Sequence, residues 1–123
     1  MDTEGARCLP PRVTECLIAT GLCRLTVPAS LGGYEADPLV GLRVYEELAV
    51  AEASVAWIAW NNQLNCLTSR HLADEPRAAL FGNPRVLFAN STRPSGRGIA
   101  VEGGFRVTGR WSLVSGCQLA EVR

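Results

Sequence analysis

Residues 85–117 read RVLFANSTRPSGRGIAVEGGFRVTGRWSLVSGC, and this stretch decides the fold. Val86, Phe88 and Asn90 alternate with Leu87 and Ala89, a two-residue period that sends neighbouring side chains to opposite faces of a strand. A Pro94 to Gly98 loop interrupts the pattern. Ile99 and Val101 then lead to a Gly103-Gly104 turn, with Phe105, Val107 and Gly109 beyond it. The spacing predicts a meander of about four short antiparallel strands beginning near Val86.

Upstream of Pro84 the period changes to that of helices. Pro10 and Pro11 lead into a short helix in which Val13, Cys16 or Leu17, and Thr20 share a face, and Gly21 sits at its C-cap. Residues 22–37 hold Pro28, Gly32 and Gly33 without a sustained period, which predicts a connecting loop. Asp37 before Pro38 is an N-cap and N1 pair opening a second helix through Leu42, Tyr45, Leu48 and Glu52. Ser54 is the expected N-cap of a third, with Val55, Ile58, Asn62, Asn65 and Ser69 on one side and Trp57, Trp60, Leu64 and Leu67 on the other. Asp74 with Glu75 and Pro76 caps a short fourth, which Gly82 and Asn83 end. The expected class is α+β: a helical domain over residues 1–83, then an incomplete β domain over 84–123. Trp57, Ile58, Leu48 and Phe88 are the expected core.

The chain has 123 residues, 47% of them hydrophobic and 20% charged, which fits one globular unit. Surface scaling allows a compact chain of this size to expose roughly 6,400 Å² and to bury about two-thirds of its open surface. Twelve acidic residues balance twelve basic ones, all arginine and all scattered, so nucleic acid and membrane surfaces are not expected partners. The first twenty residues carry Asp2, Glu4 and two prolines where an export signal needs a basic start and an apolar run. No window reaches the roughly 18 apolar residues of a membrane span. Five cysteines without a CxxC pair indicate reduced thiols rather than a disulfide framework or zinc site. The expected location is cytoplasmic.

Chemistry is thinly signalled. The glycine-rich strings SLGGYEAD and PSGRGIAVEGG lack the spacing of a phosphate loop. His71 is the sole histidine and reads as a cation at a helix C-terminus, which leaves no triad and no metal site. Less usual is polarity inside the strands. Asn90 and Thr92 point one way from one segment, and Leu113 and Ser115 share a face of another, so amide and hydroxyl groups gather where a flat heteroaromatic ring could be held by its carbonyls and nitrogens. On these residues alone, ordinary strand-end polarity is the simpler reading.

Three strings taken in order carry more. VPASLGGYEAD at residues 27–37, ELAVAEASVAWIAW at 47–60, and FANSTRPSGRGIAVEGGFRVTGRWSLVSGC at 88–117 together resemble the amino-terminal half of acyl-CoA dehydrogenase-fold flavoproteins. The resemblance runs from about Leu9 to Glu121. Trp111 stands where dehydrogenases have a lysine, and Leu113 where they have a tryptophan. That departure, with the Ala56-Trp57 pair, is closer to the flavin-dependent aromatic hydroxylase (monooxygenase) branch.

The resemblance implies an oxidoreductase fragment binding flavin, FAD rather than FMN, through Phe88, Asn90, Thr92, Trp111 and Ser115, with Trp57 on the substrate side. Ser115 would lie near flavin N5, with Asn90 and Thr92 by the pyrimidine carbonyls. It implies that the β domain is the start of an antiparallel β-barrel, and it implies a small-molecule substrate, a partner flavin reductase and a homo-oligomeric parent whose carboxy-terminal helical bundle is absent here. It assigns no catalytic residue, and activity by this chain alone is not expected. The alternatives are a fragment of a true FAD-dependent acyl-CoA dehydrogenase acting on CH–CH bonds, or a non-catalytic half that pairs with a separately encoded bundle.

Overall fold

The computed structural model describes residues 8–120; residues 1–7 and 121–123, which hold the outer ends of both expected domains, lie outside it, as do Asp2 and Glu4. Helix α1 spans Pro11–Ala19 with proline at its start, and Gly21 beyond it takes a left-handed φ of 67°. Two 3-10 turns, Leu22–Arg24 and Ala29–Leu31, break the loop that follows. Gly33 lies in this loop where a Cβ would overlap the Val27 carbonyl, so only glycine permits the approach.

Helix α2 runs Pro38–Ala51, and the Asp37 carboxylate accepts the Leu39 N–H at 2.8 Å, as its sequence predicts. Helix α3 spans Ala53–Leu67, but its cap is Glu52, not Ser54: the Glu52 carboxylate accepts from the Ser54 N–H. The extended backbone at Glu52 separates α2 from α3 by one residue, so the cap position falls earlier than Ser54. A 3-10 turn, Thr68–His71, extends α3, and α4 spans Asp74–Phe81. Asp74 lies inside its first turn, pairs with Arg77 at 3.3 Å, and leaves the cap to Ala73.

The expected four-strand meander reduces to one hairpin. Strand β1, Gly96–Val101, pairs antiparallel with β2, Gly104–Gly109, in the register Ile99 opposite Arg106 and Ala100 opposite Phe105. Among the described residues, those before and after it form one isolated antiparallel bridge, Asn90 to Ser115, and no closed barrel. Two causes prevent longer strands. The Phe88 N–H is taken by the Asn62 side chain, and Ser115 is flanked by left-handed Leu113 (φ 53°) and Gly116 (φ 83°), which interrupt extended geometry.

The core divides into two clusters against α3. Leu9, Leu17, Cys23, Val55, Ala59 and Leu87 form one, with Leu48 and Ile58 packed at its margin. Val27, Cys66, Phe81, Val86 and Phe88 form the other, where the rings of Phe81 and Phe88 lie 4.9 Å apart. Burying each such large side chain contributes about 1.5–3 kcal/mol. Trp57 does not join the core: it is 54% exposed, because Val55, Ala59, Asn62 and Cys66 occupy the inward stripe of α3 and Trp57 lies on the opposite one. The hairpin is exposed on both faces. Accessible surface totals 8316 Å², well above the value scaling gives a compact chain.

Candidate functional site

The outward stripe of α3, Trp57, Trp60, Asn61 and Leu64, faces the crossed segments at Asn90 and Ser115, and a cleft of about 300 Å³ lies between them. Asn90, Ser91, Thr92 and Arg93 line one side, and Leu113 and Ser115 another. The bridge fixes its floor: the Ser115 N–H donates to the Asn90 carbonyl at 2.9 Å, and the Asn90 N–H returns to the Ser115 carbonyl at 3.2 Å. Side chains secure both segments to the helix. Asn90 Nδ2 donates to the Asn61 carbonyl at 3.0 Å, and the Trp57 indole N–H donates to Ser115 Oγ at 3.2 Å.

Ser115 owes its place on the cleft to local backbone. A left-handed leucine costs of order 1–3 kcal/mol and persists only where its surroundings hold it. At Leu113 the carbonyl accepts the Ser115 N–H at 3.1 Å, a tight turn that leaves both residues on the cleft. Nearby, Ser91 Oγ donates to the Ser112 carbonyl at 2.9 Å and closes the same end.

Of the residues the sequence nominated, Asn90, Thr92 and Ser115 meet at this cleft, and Trp57 forms part of its wall. Phe88 and Trp111 do not join them. Phe88 is buried against Phe81, and the Trp111 ring lies over Gly96 and Gly109 of the hairpin, where an added Cβ on either glycine would strike it. Asn61, Ser91 and Arg93 were not nominated. The spacing of Trp57, Asn61 and Leu64 along one helical face was a signal that could have found Asn61.

A larger cleft of about 560 Å³ lies beyond Trp57, lined by residues including Leu9, Ala53, Ile58, Val114 and Leu119. Its lining is mostly apolar. The smaller cleft gathers the amide and hydroxyl groups that orient a ligand, so chemistry favours it over size. Among the described residues, Arg93 is its only charged side chain. The shifted groups lie elsewhere: burial beneath α3 pushes the Cys23 and Cys66 thiols up to about 12 and raises the Tyr45 hydroxyl as well. His71 is exposed in its 3-10 turn and lines no cleft described here. Among the described residues no three His, Cys, Asp or Glu side chains gather to hold a metal, and no helix is long and apolar enough to cross a membrane.

A hydrogen-bonding edge of amide and hydroxyl groups beside a tryptophan wall suits a planar heterocycle, and relatives of the chain are named for dependence on one. The flavin-dependent monooxygenase oxygenase subunit HsaA of Rhodococcus jostii (strain RHA1) is 32% identical over 97% of this chain and 31% of its own length. The oxygenase component of the FADH(2)-dependent resorcinol hydroxylase of Rhizobium sp. (strain MTP-10005) is 28% identical over 98% of this chain and 30% of its own length. The crystal structure of 3-HSA hydroxylase from Rhodococcus sp. RHA1 matches with a TM-score of 0.90 at 31% identity, covering 97% of this chain and 31% of that one. No protein-family profile matches the sequence. The chain spans about a third of the length of these relatives. It is homologous to the amino-terminal part of flavin-dependent monooxygenase oxygenase subunits, flavoproteins of the acyl-CoA dehydrogenase fold.

Proposed function

We propose that this chain supplies one wall of the flavin site of a flavin-dependent hydroxylase that acts on a phenolic or other aromatic small molecule, with FAD delivered reduced by a separate flavin reductase. The observation that carries the reading is the meeting of Asn90, Thr92, Ser115 and Trp57 at one cleft, in a chain whose relatives are named for flavin-dependent oxygenation. The donor set fits the ring. Ser115 presents a hydroxyl for the N5 edge, Asn90 and Thr92 lie on the pyrimidine side, and Trp57 borders the substrate. The division into a helical domain through residue 83 and a β domain from residue 84 belongs to the same reading.

Reduced flavin, when bound, supplies the electrons that activate dioxygen. The part of this chain is to hold and orient the ring and to keep water from one face of it. Hydrogen-bond donors near N5 and O4 favour negative charge on the reduced ring, in the manner of an oxyanion hole. A dehydrogenase of acyl-CoA thioesters is the second reading; the names of the relatives, all of them oxygenases here, favour the first.

Ser115→Ala in the full chain, titrated anaerobically with reduced FAD, tests the assignment. Removing one hydrogen bond to a partly charged group costs about 1.5–3 kcal/mol, so flavin affinity should fall roughly 10- to 150-fold. A hydroxyl that merely ends an extended segment predicts a change within about 0.5 kcal/mol, and unchanged affinity in a folded variant would remove Ser115 from the site.

A further inference from the structure

We infer that Trp57 is a positioning residue for Ser115: its indole N–H occupies one lone pair of the hydroxyl and so directs the hydroxyl proton into the cleft as a donor. The inference rests on the flavin reading of that cleft. An indole nitrogen only donates, so in the 3.2 Å contact Ser115 Oγ must accept. A serine hydroxyl has one proton and two lone pairs. With the indole on one lone pair, the proton cannot point back at Trp57, and Ser115 Oγ makes no other hydrogen bond among the described residues.

The backbone removes the remaining freedom. The Ser115 backbone is held by its N–H to the Asn90 and Leu113 carbonyls and by its carbonyl to the Asn90 N–H, so the side chain, Oγ and its proton, is what remains to be set. Trp57 sets it from a fixed base, since α3 is anchored beneath by the buried Asn62 amide and beside Trp57 by the Asn61 side chain, which donates to the Trp57 carbonyl at 2.8 Å. The indole ring is further braced by Trp60, at 5.5 Å between ring centroids. Without the indole N–H, the hydroxyl would be free to divide its time between donating to water and donating to the ring. The tryptophan therefore contributes beyond its apolar area, through one N–H, and phenylalanine would keep the wall while losing the orientation.

The test is a double-mutant cycle on the 123-residue chain with oxidised FAD, whose N5 carries a lone pair and no proton. Trp57→Phe should weaken FAD binding about 2- to 12-fold when Ser115 is present, the range of one neutral hydrogen bond, and should change nothing further in a Ser115→Ala background. An equal loss in both backgrounds, or no loss in either, overturns the inference. If Ser115→Ala weakens binding and Trp57→Phe does not, the flavin reading stands and the positioning role falls. If Ser115→Ala has no effect, or the unmutated chain binds no FAD, the flavin reading falls and takes the inference with it. A second measurement leaves Trp57 intact: in the ¹⁵N-labelled chain its indole N–H resonance should move, and exchange faster with water, in Ser115→Ala but not in Ser115→Thr. A resonance indifferent to Ser115→Ala shows that the contact is absent in solution and overturns the inference.

Discussion

The side-chain carbonyl of Asn62 accepts the Phe88 N–H at 2.7 Å while its amide donates to the Cys23 carbonyl at 2.7 Å, so one buried amide joins α3, the first 3-10 turn and the segment leading to the cleft. Asn62 is 2% exposed and water cannot replace it. Asn62→Leu, similar in volume, strands the buried Phe88 N–H and leaves the Cys23 carbonyl with only the weak Cys66 thiol donor at 3.4 Å. A loss of about 2–4 kcal/mol in denaturant unfolding is expected; a loss below about 1 kcal/mol would mean that both groups find other partners.

Arg24 does comparable work from the other side. Its guanidinium, 3% exposed with the rest of the residue, donates to the carbonyls of Leu31, Phe81 and Asn83, tying the end of α4 to the loop that carries Gly33. Arg24→Met keeps the stem and loses the fork, and should destabilise the chain by about 3 kcal/mol. Arg24→Lys should recover little of that, because one ammonium cannot reach three carbonyls in that geometry. Full recovery by lysine would show that charge, not shape, is what the site requires.

The cysteines should separate into two classes. Cys16 and Cys117 are exposed and should react with a thiol reagent at pH 8, while Cys23 and Cys66 should stay protected until the chain unfolds. Both buried thiols are pushed up from 9.0 to about 12 by desolvation. Their raised folded values favour the native state fully below about pH 9, and that contribution is lost as pH rises toward 12. Alkaline unfolding should begin in that window, and a chain equally stable at pH 8 and pH 11 would contradict it.

On the proposed reading, flavin bound to this wall alone would be open to water on its other face. The purified chain, given FADH2, dioxygen and a phenol, should form no hydroxylated product above the rate of free flavin. Steady hydroxylation with no second chain present would refute the division of the site between this chain and other parts.

Much of the fold was legible because its signals are local. Asp37 and Pro38 announce α2, and Pro11 and Gly21 bracket α1, since a cap depends on residues a few positions away. Two misplacements have different causes, the first local and the second not. Ser54 looked like a cap, yet the extended Glu52 already ends α2 and caps α3. The alternation from Val86 to Asn90 looked like a strand, but the partner for the Phe88 N–H is a helical asparagine, which no period along the chain can signal. The cleft was half legible: Asn90, Thr92, Ser115 and Trp57 stand in quotable motifs, whereas the burial of Phe88 and the seat of Trp111 on the hairpin glycines depend on packing between distant segments.

The lining of the 300 Å³ cleft has a consequence for acidity. Tryptophan, asparagine, leucine, serine and threonine take up or release no proton between about pH 4 and pH 10. The hydrogen-bonding side chains nominated for the ring are therefore silent in a titration. Any bell-shaped rate profile of an enzyme built on them must report protons on the ring, the substrate or the facing wall, and an assay moved from pH 6 to pH 9 would find these donors unaltered.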